Sequence, residues 1–151
     1  MAVLDADPLI RSLAEAHTKG ASREDLLRLT ACAMRAAGPP YTSVYLYMLH
    51  GSDLVLEAHD GRDTEHTRIP VGRGVCGTAV AQRKDQNVAD VRATLNYIAC
   101  NAFTRSELVV LIERDGAVLG QIDVDSDVPA GFPEPEHAAT RRVADALARL
   151  L

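Results

Sequence analysis

Gly38-Pro39-Pro40 divides this chain into two kinds of periodicity. A proline pair behind a glycine cannot continue a helix, because the ring removes an amide donor and clashes with the preceding turn. Before that break the apolar residues recur at helical spacing. Leu9, Ile10, Leu13 and His17 make one stripe in a helix predicted over 8–17, with Asp7 as cap and Pro8 in the first turn. Leu26, Leu29, Thr30, Ala33 and Ala37 make a second stripe, behind a Ser22 hydroxyl placed to cap the amide of Asp25.

From Tyr41 the period changes to two, which is the strand signature. Residues 42–49 and 54–56 form strands around a turn at His50-Gly51-Ser52-Asp53. A polar loop over 60–65 and an extended Thr67-Arg68-Ile69-Pro70 follow. The Gly72-Arg73-Gly74 turn delivers a short helix over 75–82, and Asn87-Val88-Ala89 is a brief strand. The irregular stretch 92–105 has the length of a functional loop. Strands over 107–113 and 117–125 flank Arg114-Asp115-Gly116, and a last helix covers about 135–151. This order predicts an α+β fold: a central, mainly antiparallel sheet with the N- and C-terminal helices packed on one face. Within a single domain over 1–151, the N-terminal helices take 1–40, the sheet and pocket loops 41–134, and the C-terminal helix 135–151.

Composition narrows the partners. A formal net charge of -5 argues against nucleic acid, whose binding needs clustered Lys and Arg, and leaves room for a cationic or zwitterionic ligand. No run approaches the roughly 20 apolar residues of a membrane span. Three cysteines without a secretory leader point to a reducing cytoplasm. The histidines lack ligand spacing, so no zinc site is expected; His66 reads as a solvated loop residue.

The chemistry concentrates in Gly72-Arg73-Gly74-Val75-Cys76-Gly77, Ile98-Ala99-Cys100, Ser106-Glu107 and Asp123-Val124-Asp125-Ser126. Asp123 and Asp125 alternate with Ile122 and Val124, so they share one face of a strand. Spacing by itself favours a solvent-facing pair there. Side by side in a pocket, two carboxylates call for a cation such as an α-ammonium group. Cys76 is either a thiol partner for Cys100 or a small packing residue, and Cys32 lies off its helix stripe and reads as silent. The amides of 72–74 are placed to hold a carboxylate, or else the glycines only supply a positive φ. Tyr41, Tyr45 and Tyr97 are candidate pocket walls.

In these four motifs, in this order, the chain resembles the free methionine-(R)-sulfoxide reductases, stand-alone GAF-domain enzymes. The similarity runs from about Tyr41 to Leu151. It implies a single GAF domain in which Cys100 is the nucleophile, with Glu107, Asp123 and Asp125 around the substrate. No bound cofactor is implied; a thioredoxin-like reductant fed by NADPH closes the cycle, and the enzyme is a homodimer. Cys76 is then the resolving thiol and Glu107 the general acid, while Tyr41, Tyr97 and Gly74 join the substrate contacts. Two rival readings are a ligand-binding or redox-sensing GAF module without turnover, and a reductase with a shifted small-molecule substrate. The chain departs from the family pattern at His66, where a third cysteine is usual. Asn101 follows the nucleophile in place of Asp, Tyr41 stands for Trp, Tyr97 for His and Leu111 for Pro.

Overall fold

The N-terminal helices begin where their caps allow. In the computed structural model, which describes residues 1–93 and 102–151, helix α1 (Ala6–Thr18) is capped by Asp5. The Asp5 carboxylate accepts the Asp7 amide, so the helix starts two residues before the expected position and Asp7 lies inside it. Helix α2 (Arg23–Ala36) has the expected cap: Ser22 Oγ accepts the Asp25 amide and the Asp25 carboxylate accepts the Ser22 amide. Its buried stripe is Leu26, Leu27, Thr30, Ala31 and Met34. This is rotated from the sequence reading, since Leu29, Ala33 and Ala37 are only partly buried.

The strands are β1 (Ser43–His50), β2 (Asp53–Asp60), β3 (Arg68–Pro70), β4 (Gln86–Val88), β5 (Ser106–Arg114) and β6 (Ala117–Ser126). Helix α3 (Gly74–Gln82) precedes β4, a 3₁₀ turn covers Val91–Ala93, and α4 (Glu134–Ala148) closes the described chain. The sheet order is β3-β2-β1-β6-β5-β4, and every neighbouring pair is antiparallel. Strand β2 is longer than its apolar core, because its polar second half pairs with β1 as far as Val44 opposite Asp60. The β5–β6 hairpin turns on Asp115 and Gly116, both with positive φ, as a right-twisted two-residue connection requires.

Both faces of the sheet are covered. Val44, Leu46, Met48, Leu108, Val110, Ile112, Ile122 and Val124 face a core closed by α1, α2 and α4 through Leu13, Leu27, Met34, Val143 and Leu147. Tyr45, Tyr47, Val109 and Leu111 face the other way, against Val75, Cys76, Ala79 and Val80 of α3. A fully buried leucine or valine contributes about 1.5–3 kcal/mol, so the helical face is the main source of stability. The α3 face carries fewer apolar groups and more polar ones. Among the described residues, no helix is long and apolar enough to cross a membrane.

Candidate active site

The polar groups of the α3 face come from three elements. On β6, Gln121, Asp123 and Asp125 alternate with core residues and are each at most 2% exposed. The solvent-facing alternative for the aspartate pair is thereby excluded. Across the sheet, Glu107 of β5 stands opposite Asp125, and Tyr45 of β1 opposite Asp123. Helix α3 brings Cys76 down onto them. Its position is set by two short-range fits. The Gln121 amide donates to the Cys76 carbonyl at 3.0 Å, and Gly77 is so close to the 70–72 turn that a Cβ there would meet the Pro70 carbonyl at 2.5 Å. The Cys76 Sγ then lies 3.9 Å from Glu107 Oε2.

Cys76, Glu107 and Asp123 line a small cavity whose walls are Tyr47, His66, Ile69 and Val75. The loop from Gly61 to Thr67 is tied across it by hydroxyls of the same sheet face. Tyr45 donates to the Arg62 carbonyl and Tyr47 to the His66 carbonyl, each at 2.7 Å. Ser43 Oγ accepts the Arg62 amide at 3.0 Å. Gly61 (φ 122°) passes so near Ser43 that any side chain there would collide with it. The Arg62 guanidinium forms a two-point pair with Asp127 at 2.6 and 2.7 Å and sits 5.2 Å over the Phe103 ring.

Electrostatics follows from burial. Burial, and then the charge of Asp123, push the Asp125 carboxyl well above the usual carboxylate range. Burial also raises Asp123. The Cys76 thiol is pushed up by burial first and then by Asp123, Glu107 and Asp125. Apart from the Glu107 carboxyl, neither Asp125 oxygen meets a hydrogen-bond partner among the described residues, and Asp123 Oδ1 has none. Arg62 works against the rise at Asp125, but its guanidinium is already committed to Asp127. A site of this kind favours either a protonated acid or an incoming cation, since an uncompensated buried carboxylate is costly.

Several expectations need correction. Tyr41 is not a wall of this cavity: it packs on the helical face, edge-on to Phe132, and its hydroxyl donates to Glu136 at 2.7 Å. It precedes β1, where the alternation that orients Tyr45 and Tyr47 has not begun. For the 72–74 turn, where a carboxylate cradle and a plain turn were both open, the amides of 72 and 73 are used within the turn. The Gly72 amide donates to the Gly77 carbonyl and the Arg73 amide to the Pro70 carbonyl, while Gly72 and Gly74 adopt positive φ. Gly74 is buried at the first position of α3. His66, expected in solvent, lines the cavity. Cys32 is exposed, beside a wide groove with Arg35, Asp60 and Asp127, whose charges pair among themselves or with Arg62. Cys100 and Tyr97 lie outside the described residues. Sequence reading missed Tyr47, Arg62, Gln121 and Asp127. Tyr47, two positions after Tyr45 and so on the same strand face, carried the one available signal.

Residues 22–151 match the GAF domain family. The chain belongs to the GAF domain family. It is 37% identical over 105 residues to the free methionine-R-sulfoxide reductase of Escherichia coli, a stretch covering 70% of this chain and 63% of that protein. This GAF domain thus spans less than two thirds of that relative's length. Two solved structures superpose over nearly its whole length. The type II free methionine-R-sulfoxide reductase of Thermoplasma acidophilum shares 32% identity, with a TM-score of 0.79 and 97% and 94% of the two chains covered. The enzyme of Neisseria meningitidis, solved with its substrate, shares 31% identity, with a TM-score of 0.87 and 96% and 87% covered. The resemblance stated from the four motifs is borne out by these relatives.

Proposed function

We propose that this chain reduces free methionine-(R)-sulfoxide to methionine. One observation carries the reading: a buried thiol and three buried carboxyls, from α3, β5 and β6, converge on one sheet face. The α-ammonium of a free amino acid supplies the charge that Asp123 and Asp125 lack. Glu107, beside Cys76, protonates the sulfoxide oxygen as it leaves sulfur. Cys100 is the nucleophile in this scheme, by its place in the Ile98-Ala99-Cys100 motif. It takes the oxygen, with the proton from Glu107, as a sulfenic acid while methionine departs, and the thiol proton returns to Glu107. The Cys76 thiol then condenses with the sulfenic acid, releasing water and forming a disulfide. A thioredoxin-like dithiol, itself reduced by NADPH, opens it. A homodimer in the cytoplasm belongs to the same proposal.

His66 favours a second reading. It lines the cavity with Cys76, Glu107 and Asp123, at the position of the usual third cysteine. An imidazole there changes both the shape and the proton inventory of the pocket, and so favours a related oxidised substrate. Relative rates across a panel of oxidised amino acids discriminate the two.

The test of the main reading is Cys100→Ser in a thioredoxin-coupled assay. NADPH consumption with methionine-(R)-sulfoxide is expected to disappear; unchanged turnover refutes the assignment.

A further inference from the structure

We propose that Cys76, Glu107 and Asp123 form a binding site for a zinc ion. The sulfur and one oxygen from each carboxyl all lie within 4.8 Å of one another, and all three residues are buried. Two ligands held at about 2.3 Å (S) and about 2.1 Å (O) from a tetrahedral zinc stand about 3.6 Å apart. Cys76 Sγ and Glu107 Oε2 are already 3.9 Å apart. Closing that pair to bonding distance takes a shift of about 0.3 Å. Three protein donors leave a fourth position, which water can take.

A second observation concerns the group beside these three residues. Asp125 is 2% exposed and faces the same side, directly across from Glu107, and apart from that carboxyl neither of its oxygens has a hydrogen-bond partner among the described residues. Beside a bound dication, whose charge the thiolate and two carboxylates already offset, Asp125 keeps its proton and donates it to a ligand carboxylate, which fixes that ligand from the outer shell. The thiolate donor selects the metal. Magnesium and calcium take oxygen ligands, whereas a mixed sulfur and carboxylate set suits zinc. Zinc binding forms the Zn–S bond as the Cys76 thiol releases its proton to solvent, with no change of oxidation state.

On the reductase reading, on which this consequence rests, the ion occupies the place of the substrate ammonium group and ties up the resolving thiol. Zinc is then a reversible inhibitor, relieved by chelation. The metal site itself stands or falls separately.

The experiment uses the full chain, reduced and stripped of metal, titrated with cobalt(II) and then zinc. One cobalt per chain is expected, with a thiolate-to-cobalt charge-transfer band that zinc bleaches. The band should persist in Cys32→Ser and in Cys100→Ser, disappear in Cys76→Ser, and need at least tenfold more cobalt in Asp123→Asn. In the unsubstituted chain, zinc should slow alkylation of Cys76, read by mass spectrometry, and leave exposed Cys32 unaffected. A band that survives Cys76→Ser, a band lost in Cys100→Ser, or equal alkylation of Cys76 with and without zinc overturns the site. Because Cys100→Ser abolishes turnover while keeping all three donors, a failed reductase assay and a failed metal site remain distinguishable.

Discussion

Asp85 shows how much one side chain can join. Its Oδ1 accepts from Arg141 at 2.6 Å and from the Leu111 amide at 2.9 Å, and its Oδ2 lies 2.8 Å from His137 Nε2. The turn after α3 is thereby fastened to both β5 and α4. Burial raises the Asp85 carboxyl, but Arg141, His137 and the Leu111 amide outweigh it and hold the group below its ordinary value. A carboxyl with a lowered folded pKa stabilises above its unfolded pKa, about 4, and loses that contribution as pH falls through the folded value. Asp85→Asn is therefore expected to cost about 2 kcal/mol at pH 7, or about 5 °C in Tm. The gap to the unsubstituted chain should close as pH falls through that lowered folded value. Thermal melts across pH check this; a gap independent of pH would show that charge is not the cause.

At the scale of elements, the loop between β2 and β3 depends on the strand it crosses. Tyr45 and Tyr47 are core residues in their rings and tethers at their hydroxyls. Tyr47→Phe keeps the ring packing and deletes the bond to the His66 carbonyl. A net hydrogen bond is worth about 1 kcal/mol, so stability should fall by about that much. Activity should fall further, with kcat/KM about tenfold lower and most of the change in KM, because the loop forms a cavity wall. Equal kcat/KM in the variant would remove the loop from the site. The opposite face has its own buried polar tie. Glu136 of α4 accepts from Tyr41 and from the amides of Val3 and Leu4, fastening the N-terminus to the helical layer. That tie engages Tyr41 away from the carboxyls.

For the molecule as a whole, the sheet is a partition between a stability layer and a reactive layer. The helical side is a continuous apolar core, while the α3 side holds a thiol, three carboxyls and Gln121 beside a smaller apolar cluster. Hydrogen exchange should reflect this division. Amides of β1, β5 and β6 are expected to open only with global unfolding, and those of 61–67 and the short edge strands β3 and β4 well before it. Saturating methionine should slow exchange in 61–67 and at the start of α3. Uniform protection in every strand, unchanged by methionine, would contradict this division of labour.

Local chemistry was readable without coordinates wherever the deciding partner is near in the chain. The Ser22 cap on Asp25, the Asp115-Gly116 turn and the shared face of Asp123 and Asp125 rest on contacts within a few residues. The four motifs likewise carried the family resemblance, because their order and spacing are properties of the sequence. Which side of a strand becomes core is a different matter. Alternation says that Asp123 and Asp125 go together, but only the packing of α3 over that face decides that they are buried. Tyr41 was misjudged for the same reason, since Glu136 claims its hydroxyl through a folded contact. At 72 and 73, where a cradle and a plain turn were both open, the Gly77 and Pro70 carbonyls take the amides. The meeting of Cys76, Glu107 and Asp123 is likewise tertiary, since a helix and two strands must dock before their side chains come within reach.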